Sequence, residues 1–461
     1  MGVWYSPPAL VDHVVERTIG PTSHGQRVRV LDPACGDGRF LRAAAAVIRR
    51  AGGVPELTGV DIDLGGMRAA AEPGDIVEVI EADALAHDWG SRRFDVVIGN
   101  PPFLSQLASA TAREGGSRFG GGPYADAAAD FLALAVHLAA NDGGRVGLVL
   151  PTSLLTARDA GPIRRGIAAV ATVEWFWAAR ELMFDASVRT CAIGLLRGSR
   201  AGVTVARTDG VGFTSIDPVT APVTSANDHW GWLIADSHGV PLVPPITALG
   251  TVGDRALVTA NFRDQYYGLV GAVSDTADGP RLITTGLIDP GRCVWGERPT
   301  RFAKQRFEAP RVDRSLLAPF MQRWADRCLV PKVLVATQTR VLEAVVDEDG
   351  EWLPAVPVIR LIPNRPEALW LLSAVLTSPV ASALLAAESV GSGLSATTMR
   401  VSQRTLGLLP WPAGDLTAAV EALRAGDLEA CGRSVDAAYG VADAILSRWW
   451  RNGLSRTLNP G

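Results

Sequence analysis

Lysine is nearly absent from this 461-residue chain: of 44 basic residues only Lys304 and Lys332 are lysines. Positive charge is therefore carried by arginine, a bias we read as genomic base composition rather than function. Cysteine is scarce and scattered, with five residues (35, 191, 293, 328, 431) and no CxxC pair. That excludes a disulfide framework and a zinc ribbon, and suits a reducing cytoplasm. The start lacks a basic segment followed by an apolar run, so no secretory signal is expected. There is no GxxxxGK[ST], which excludes a P-loop nucleoside triphosphatase, and no HExxH or paired histidine spacing that would hold a metal. No PD-(D/E)xK pattern is found, so no built-in nuclease is inferred. Net charge is only -4, so the protein is not a uniformly basic nucleic-acid coat, and polyanion binding would need segregated charge. One charge-free run, 368–387, is long enough to span a bilayer. Ser378-Pro379 breaks it in the middle, which favours two short buried helices.

Hydrophobic residues make up 48% of the chain, which rules out wholesale disorder. Short apolar runs at 28–31, 57–60, 76–80, 94–98 and 145–150 alternate with helical patterns, notably 40–50 and 125–140. Strands separated by helices predict a parallel, doubly wound α/β sheet, whose ligands lie beyond the carboxyl ends of the strands. After about residue 200 the pattern becomes α+β, with short β-like runs at 202–206, 230–235, 282–285, 333–336 and 356–361. A helical tail over 415–451 is interrupted near Gly426 and Gly440. The expected domains are 1–205 and 206–461.

Four motifs carry chemistry. LDPACGDGRFL (31–41) is a strand ending in Asp32 that turns through Gly36 and Gly38 into a helix. The glycines let backbone approach a ligand, and the helix start offers free N–H groups to an anionic group. GVDID (59–63) ends the second strand in Asp61, placed to take ribose hydroxyls. EADAL (81–85) puts Asp83 after the third strand, where it could accept from an adenine amino group. Either acid alone could be a strand-end cap; the pair, after a glycine turn, points to a nucleoside site. The fourth motif is FDVVIGNPPF (94–103). Two prolines stiffen the backbone, so the Asn100 side chain and the Pro101 carbonyl can accept two hydrogen bonds from one planar –NH2 group. Pro102 completes the rigid corner, and Phe103 offers a face for the ring bearing that amine.

In motif order the chain resembles the gamma class of N6-adenine DNA methyltransferases. That resemblance implies a class I, Rossmann-like domain with a mostly parallel seven-stranded sheet, followed by a C-terminal target-recognition domain. It implies S-adenosylmethionine as cofactor and a flipped-out adenine in duplex DNA as substrate. VWYSPPALVDHVV (3–15) is similar to the segment that wraps the methionine end of the cofactor, with Tyr5, Ser6 and Pro7 matching. Ala34, Cys35, Ile62, Ala84 and Phe131 join Asp32, Gly36, Gly38, Asp61 and Asp83 as expected cofactor contacts. ELMFDASVRTCAIGLL (181–196) is similar to the hairpin bearing a second base-stacking aromatic, here Phe184. Ser117–Pro123, rich in glycine, is expected to be a mobile lid loop.

Between Arg292 and Lys332 ten basic residues outweigh four acidic ones. Arg298, Arg301, Lys304, Arg306 and Arg311 are the candidate DNA contacts. The expected setting is restriction–modification or phage defence, in the cytoplasm, with a separate endonuclease or defence subunit as a partner. Two other readings share the corner's chemistry: a protein glutamine-N5 or RNA amine methyltransferase, and a non-catalytic DNA-specificity subunit. The long C-terminal half favours a large DNA target over the former, and the intact Asn-Pro-Pro-Phe argues against the latter.

Overall fold

The computed structural model describes residues 6–65, 76–103, 117–123, 125–181, 189–198, 203–220, 229–390 and 398–458. The chain forms two compact units, 1–233 and 234–461. In the first, α1 (Pro8–Thr18) precedes β1 (Arg27–Asp32), α2 (Arg39–Arg50), β2 (Val54–Asp61), β3 (Ile76–Glu81) and β4 (Val96–Gly99). There follow α3 (Ala127–Leu138), β5 (Arg145–Pro151), α4 (Gly161–Val170), β6 (Ala171–Ala178), β7 (Thr190–Arg197), β8 (Thr204–Asp209) and β9 (Thr214–Thr220). Their sheet runs β3-β2-β1-β4-β5-β7-β6-β8-β9. β1 to β5 are parallel, and β7 inserts antiparallel between β5 and β6. The first seven strands in this order match the mostly parallel, seven-stranded sheet that the resemblance implies. β8, parallel to β6, and β9 extend it to nine strands, two more than the expected seven. That hairpin carries the first unit past residue 205, to Leu233.

Strand order reverses between β1 and β4, which opens a crevice at their carboxyl ends. The core under that edge is built by Leu10, Val14 and Val15 of α1, Phe40, Leu41 and Ile48 of α2, and Val30 and Ile98 of the sheet. Pro8 opens α1 at a position where no N–H is needed. Trp175, Trp177, Trp230 and Trp232 are buried, in packing rather than at a surface for bases. The 230–235 run, expected as β, is instead a 3-10 turn over Gly231–Leu233. A short apolar run marks burial without distinguishing strand from helix.

In the second unit a four-stranded antiparallel sheet joins Ala256–Ala260, Ile359–Pro363, Lys332–Val335 and Ala344–Asp347, in that order. A second sheet joins Val273–Ser274, Arg311–Val312, Arg281–Ile283 and Trp352–Pro354. Lys332 is fully buried and pairs with Asp347, which also accepts from the Glu351 and Trp352 N–H groups. The apolar run divides as expected into helices Ala368–Leu376 and Pro379–Ser389, bent by 62° and largely buried. Among the described residues no single helix is long and apolar enough to cross a membrane. The tail forms helices Thr417–Arg424, Leu428–Ala438 and Ala444–Leu458, with Gly426 and Gly440 at positive φ in the breaks.

The Trp175 indole lies across its cross-strand partner Gly194, where a Cβ would overlap the ring. Gly194→Ala is therefore expected to cost about 1–3 kcal/mol, the range for overpacking a tight core. Urea unfolding of the variant checks this, and an unchanged midpoint would contradict it.

Candidate active site

Parallel pairing puts the ends of four strands side by side. Asp61 is level with Glu81 across β2 and β3, and Asp32 with Gly59 across β1 and β2. Leu31 is level with Val97 across β1 and β4. The residues at or just past these ends follow the strand order: Asp83, Asp61, Asp32, Asn100. Chain order alone does not give that arrangement; the reversal at β1 and β4 brings Asp32 beside the Asn-Pro-Pro-Phe corner.

The glycine turn is held by hydrogen bonds from its own acids. Asp32 Oδ1 accepts from the Ala34 N–H (3.1 Å), and the Cys35 N–H donates to the Val60 carbonyl (2.9 Å). Asp61 Oδ2 accepts from the Gly36 N–H (2.8 Å) and Oδ1 from the Asp63 N–H (3.1 Å). Asp61 thus ties the first loop to the second. Gly36 and Gly38 have φ of 51° and 78°. A Cβ at Gly36 would meet nothing within 4 Å, so open space lies above the turn. Beyond it Ile62 is 72% exposed, an apolar side chain left in solvent beside Asp61. Asp83 caps its own loop through the Leu85 N–H (2.9 Å), with Ala84 buried. Phe131 of α3 is buried.

Two acceptors at the crevice stand out. Asp32 is 1% exposed, and its Oδ2 has no hydrogen-bond partner among the described residues. The Asn100 Oδ1 is buried and likewise unpartnered. Buried polar atoms nearly always find partners, so each orphan calls for an explanation. Asn100 Oδ1 fits a ligand N–H group, and the Asp32 carboxyl fits a ligand cation that bears N–H groups. Gly99 lies between them. Its φ is 152°, and a Cβ there would collide with Asp32 Oδ1. Only glycine lets the carboxylate pass so close to the residue before Asn100.

The orientation of Asn100 has a visible cause. Its Nδ2 donates to Ser6 Oγ at 3.0 Å, which leaves Oδ1 as the outward acceptor. Ser6 is 2% exposed, and its carbonyl accepts from Arg39, whose guanidinium pairs with Asp37 (2.6 Å). The sequence reading placed Ser6 with the cofactor and missed this link; no spacing rule joins residues 6 and 100. Gly99 was also missed, although it directly precedes the corner. Pro101 is buried, Pro102 exposed, and Phe103 partly buried against the core of the unit. Pro7 caps α1. Tyr5 and Phe184 lie outside the described residues.

Ser117–Pro123 is not the free loop its glycines suggest. Ser117 Oγ donates to Asp130 Oδ1 of α3 and accepts from the Gly121 N–H (2.8 Å), and the Gly122 N–H donates to the Asp159 carbonyl (2.8 Å). Arg118 donates to the Leu85 carbonyl (2.6 Å), bridging to the loop after β3.

The five candidate DNA contacts divide. Arg298 makes two bonds to Asp289 (2.9 and 2.8 Å). Arg311 stacks on Trp295 at 4.9 Å and donates to the Gly279 carbonyl (2.7 Å). Arg306 meets the exposed Glu308 (3.2 Å). Arg301 and Lys304 are exposed, with no ion pair among the described residues.

Residues 1–216 match the family model described as N-6 DNA Methylase. No curated protein matches the chain. Solved structures similar to it include the type I restriction-modification methyltransferase subunit from Streptococcus thermophilus, 22% identical over 45% of this chain and 47% of that one, TM-score 0.38. The type I restriction enzyme EcoKI M protein is 18% identical over 44% and 48%, TM-score 0.33. The type IIG restriction endonuclease BpuSI is 12% identical over 100% and 67%, TM-score 0.40. The chain thus spans about half the length of the two methyltransferase subunits.

Burial pushes the Asp32 carboxyl up to about 8; the Ala34 N–H opposes the shift, and Asp61 and Asp37 add to it. From about pH 4 to 8 the folded, ligand-free protein holds a proton that the unfolded chain has released. Stability contributed by this group therefore falls as pH rises through that window and is level on either side. Asp32→Asn does not titrate, so its stability relative to wild type should improve steadily from pH 4 to 8. Thermal unfolding across that range checks this; a constant gap between the two proteins would contradict it.

Proposed function

We propose that the protein is a DNA adenine-N6 methyltransferase acting in restriction–modification or phage defence, a reading supported by the match of residues 1–216 to the N-6 DNA Methylase family model. The observation that carries this reading is the pair of orphaned acceptors, Asp32 Oδ2 and Asn100 Oδ1, flanking Gly99. S-adenosylmethionine is the cofactor of this family and, when bound, supplies a methyl group activated by its sulfonium. Its ammonium matches the carboxylate of Asp32, which stays protonated near neutral pH unless a cation faces it. Gly36 and Gly38 leave room for the methionine part, with Ser6, Pro7, Ala34, Cys35 and Phe131 around it. Asp61 retains lone pairs for ribose hydroxyls; Ile62, Asp83 and Ala84 suit a purine.

On the acceptor side, an exocyclic amine is a poor nucleophile because its lone pair conjugates with the ring. Asn100 Oδ1 and the Pro101 carbonyl accept its two N–H groups, draw the nitrogen toward tetrahedral geometry and stabilise the positive charge that develops. Phe103 stacks on the ring, with Phe184 assigned the same task. An adenine inside a duplex cannot reach this corner, so it is flipped out at a cost of a few kcal/mol, which stacking partly offsets. The second unit is assigned to target recognition through the basic segment 292–332.

Ser6 then acts as a positioning residue, holding the Asn100 amide with its oxygen outward. Asn100→Ala should lower the methylation rate by about 100-fold or more, the usual loss for one preorganised partner, with S-adenosylmethionine affinity retained. Ser6→Ala should lower kcat by about tenfold, the upper end of what one neutral hydrogen bond contributes, with Ser6→Thr restoring much of it. Single-turnover kinetics with titration calorimetry on the same variants checks both. Near-normal turnover in Asn100→Ala refutes the role of the corner. A Ser6→Ala defect confined to cofactor affinity refutes the role of Ser6.

A further inference from the structure

Within the basic segment of the second unit, Thr300–Phe302 and Gln305–Phe307 form a β-hairpin with a two-residue turn. Strand alternation gives it two faces. Phe302 and Phe307 are buried in the core with Leu269 and Trp324, and Phe302 packs on Tyr266 at 5.2 Å between ring centres. The outer face carries Arg301 directly opposite Arg306. Lys304 sits in the turn, and all three cations are exposed.

Two features of this hairpin work against its own stability. Like charges directly opposite one another across two strands repel. The turn residues Ala303 and Lys304 both have positive φ, 49° and 66°, where glycine or asparagine is the usual choice. The same unit resolves an identical charge conflict elsewhere. Arg281 is also paired with Arg311, but Trp295 lies under both guanidinium groups, at 4.6 and 4.9 Å, and Arg311 is tied to the Gly279 carbonyl. At the hairpin no aromatic ring or buried acid plays that part among the described residues; Arg306 meets only the exposed Glu308 (3.2 Å), and Arg301 has no ion pair there. Arg298, the remaining candidate, is committed to Asp289, which is 5% exposed at its side chain.

We propose that hairpin 300–307 is a phosphate-gripping ribbon for duplex DNA, with Arg301, Lys304 and Arg306 as its contacts, and that Arg298 and Arg311 are structural. This rests on the reading of the chain as an enzyme of duplex DNA and deepens it. A two-stranded ribbon has the width that the DNA major groove admits. Flexible exposed cations on such a ribbon are suited to phosphates, which fix register without reading sequence. An anion between Arg301 and Arg306 removes the repulsion that the free protein carries.

The test is the salt dependence of duplex binding by the full chain, on several unrelated 30-base-pair duplexes. Each phosphate contact contributes about 0.9 to the slope of log affinity against log salt. Replacing all three contacts (R301Q, K304Q and R306Q together) should make the slope shallower by about 2.7, equally on every duplex, with S-adenosylmethionine affinity unchanged. R298Q and R311Q should lower Tm and leave the slope within error. A second variant separates contact from architecture. Ala303→Asn with Lys304→Gly installs a turn pair that suits positive φ, so it should raise Tm while the slope falls by about 0.9. If wild type binds duplex DNA steeply and the triple variant keeps the full slope, the hairpin proposal is overturned and the enzyme reading stands. If wild type shows no salt-dependent duplex binding at all, both are overturned.

Discussion

The carboxylate of Asp32 and the backbone of Gly99 occupy a space that one methyl group would fill. That close approach exists because β1 and β4 are neighbours in a sheet whose order reverses between them. It brings the glycine turn after β1 and the rigid corner after β4 to one crevice. The surrounding contacts hold those two loops in place. Asp61 binds the glycine turn, Ser6 binds Asn100, and Arg39 with Asp37 binds Ser6. The result is an edge that presents acceptors at fixed positions, which is what recognition of N–H donors requires.

The chain handles charge in two contrasting ways. Where a polar group serves architecture, it is satisfied internally: Lys332 with Asp347, Arg298 with Asp289, Trp295 beneath two arginines. At the crevice two side chains are left unsatisfied, Asp32 and Asn100, both at positions that sequence chemistry had already marked. An unsatisfied buried acid lowers the stability of the free protein, and a ligand that binds only the folded state offsets that loss through mass action.

Much of the first unit was legible because its signals are local. The Asp32 turn, Asp61, Asp83 and the Asn100 corner each follow an apolar run, and runs that alternate with helices define a parallel sheet. The breaks at Gly426 and Gly440 and the division at Ser378-Pro379 are equally local. What escaped depends on contacts distant in sequence. Ser6 meets Asn100 across 94 positions of chain. Ser117 looked free among its glycines because its anchor, Asp130, lies on a helix whose position only the fold supplies. β8 was legible in part, as the run at 202–206, but β9 was hidden because its exposed pattern is weak at a sheet edge. The five basic candidates could be counted in the sequence, but not sorted, since Asp289 and Trp295 become partners only after the chain folds.

In the proposed reaction the corner at Asn100 grips the amino group of adenine. Its most direct measurement is mass spectrometry of nucleosides digested from mixed-sequence duplex DNA, after incubation with the purified protein and S-adenosylmethionine carrying a deuterated methyl group. N6-methyladenine bearing the label, with no labelled cytosine, is the expected result. Label on cytosine N4, or label that appears only in protein or RNA supplied alongside, would contradict it.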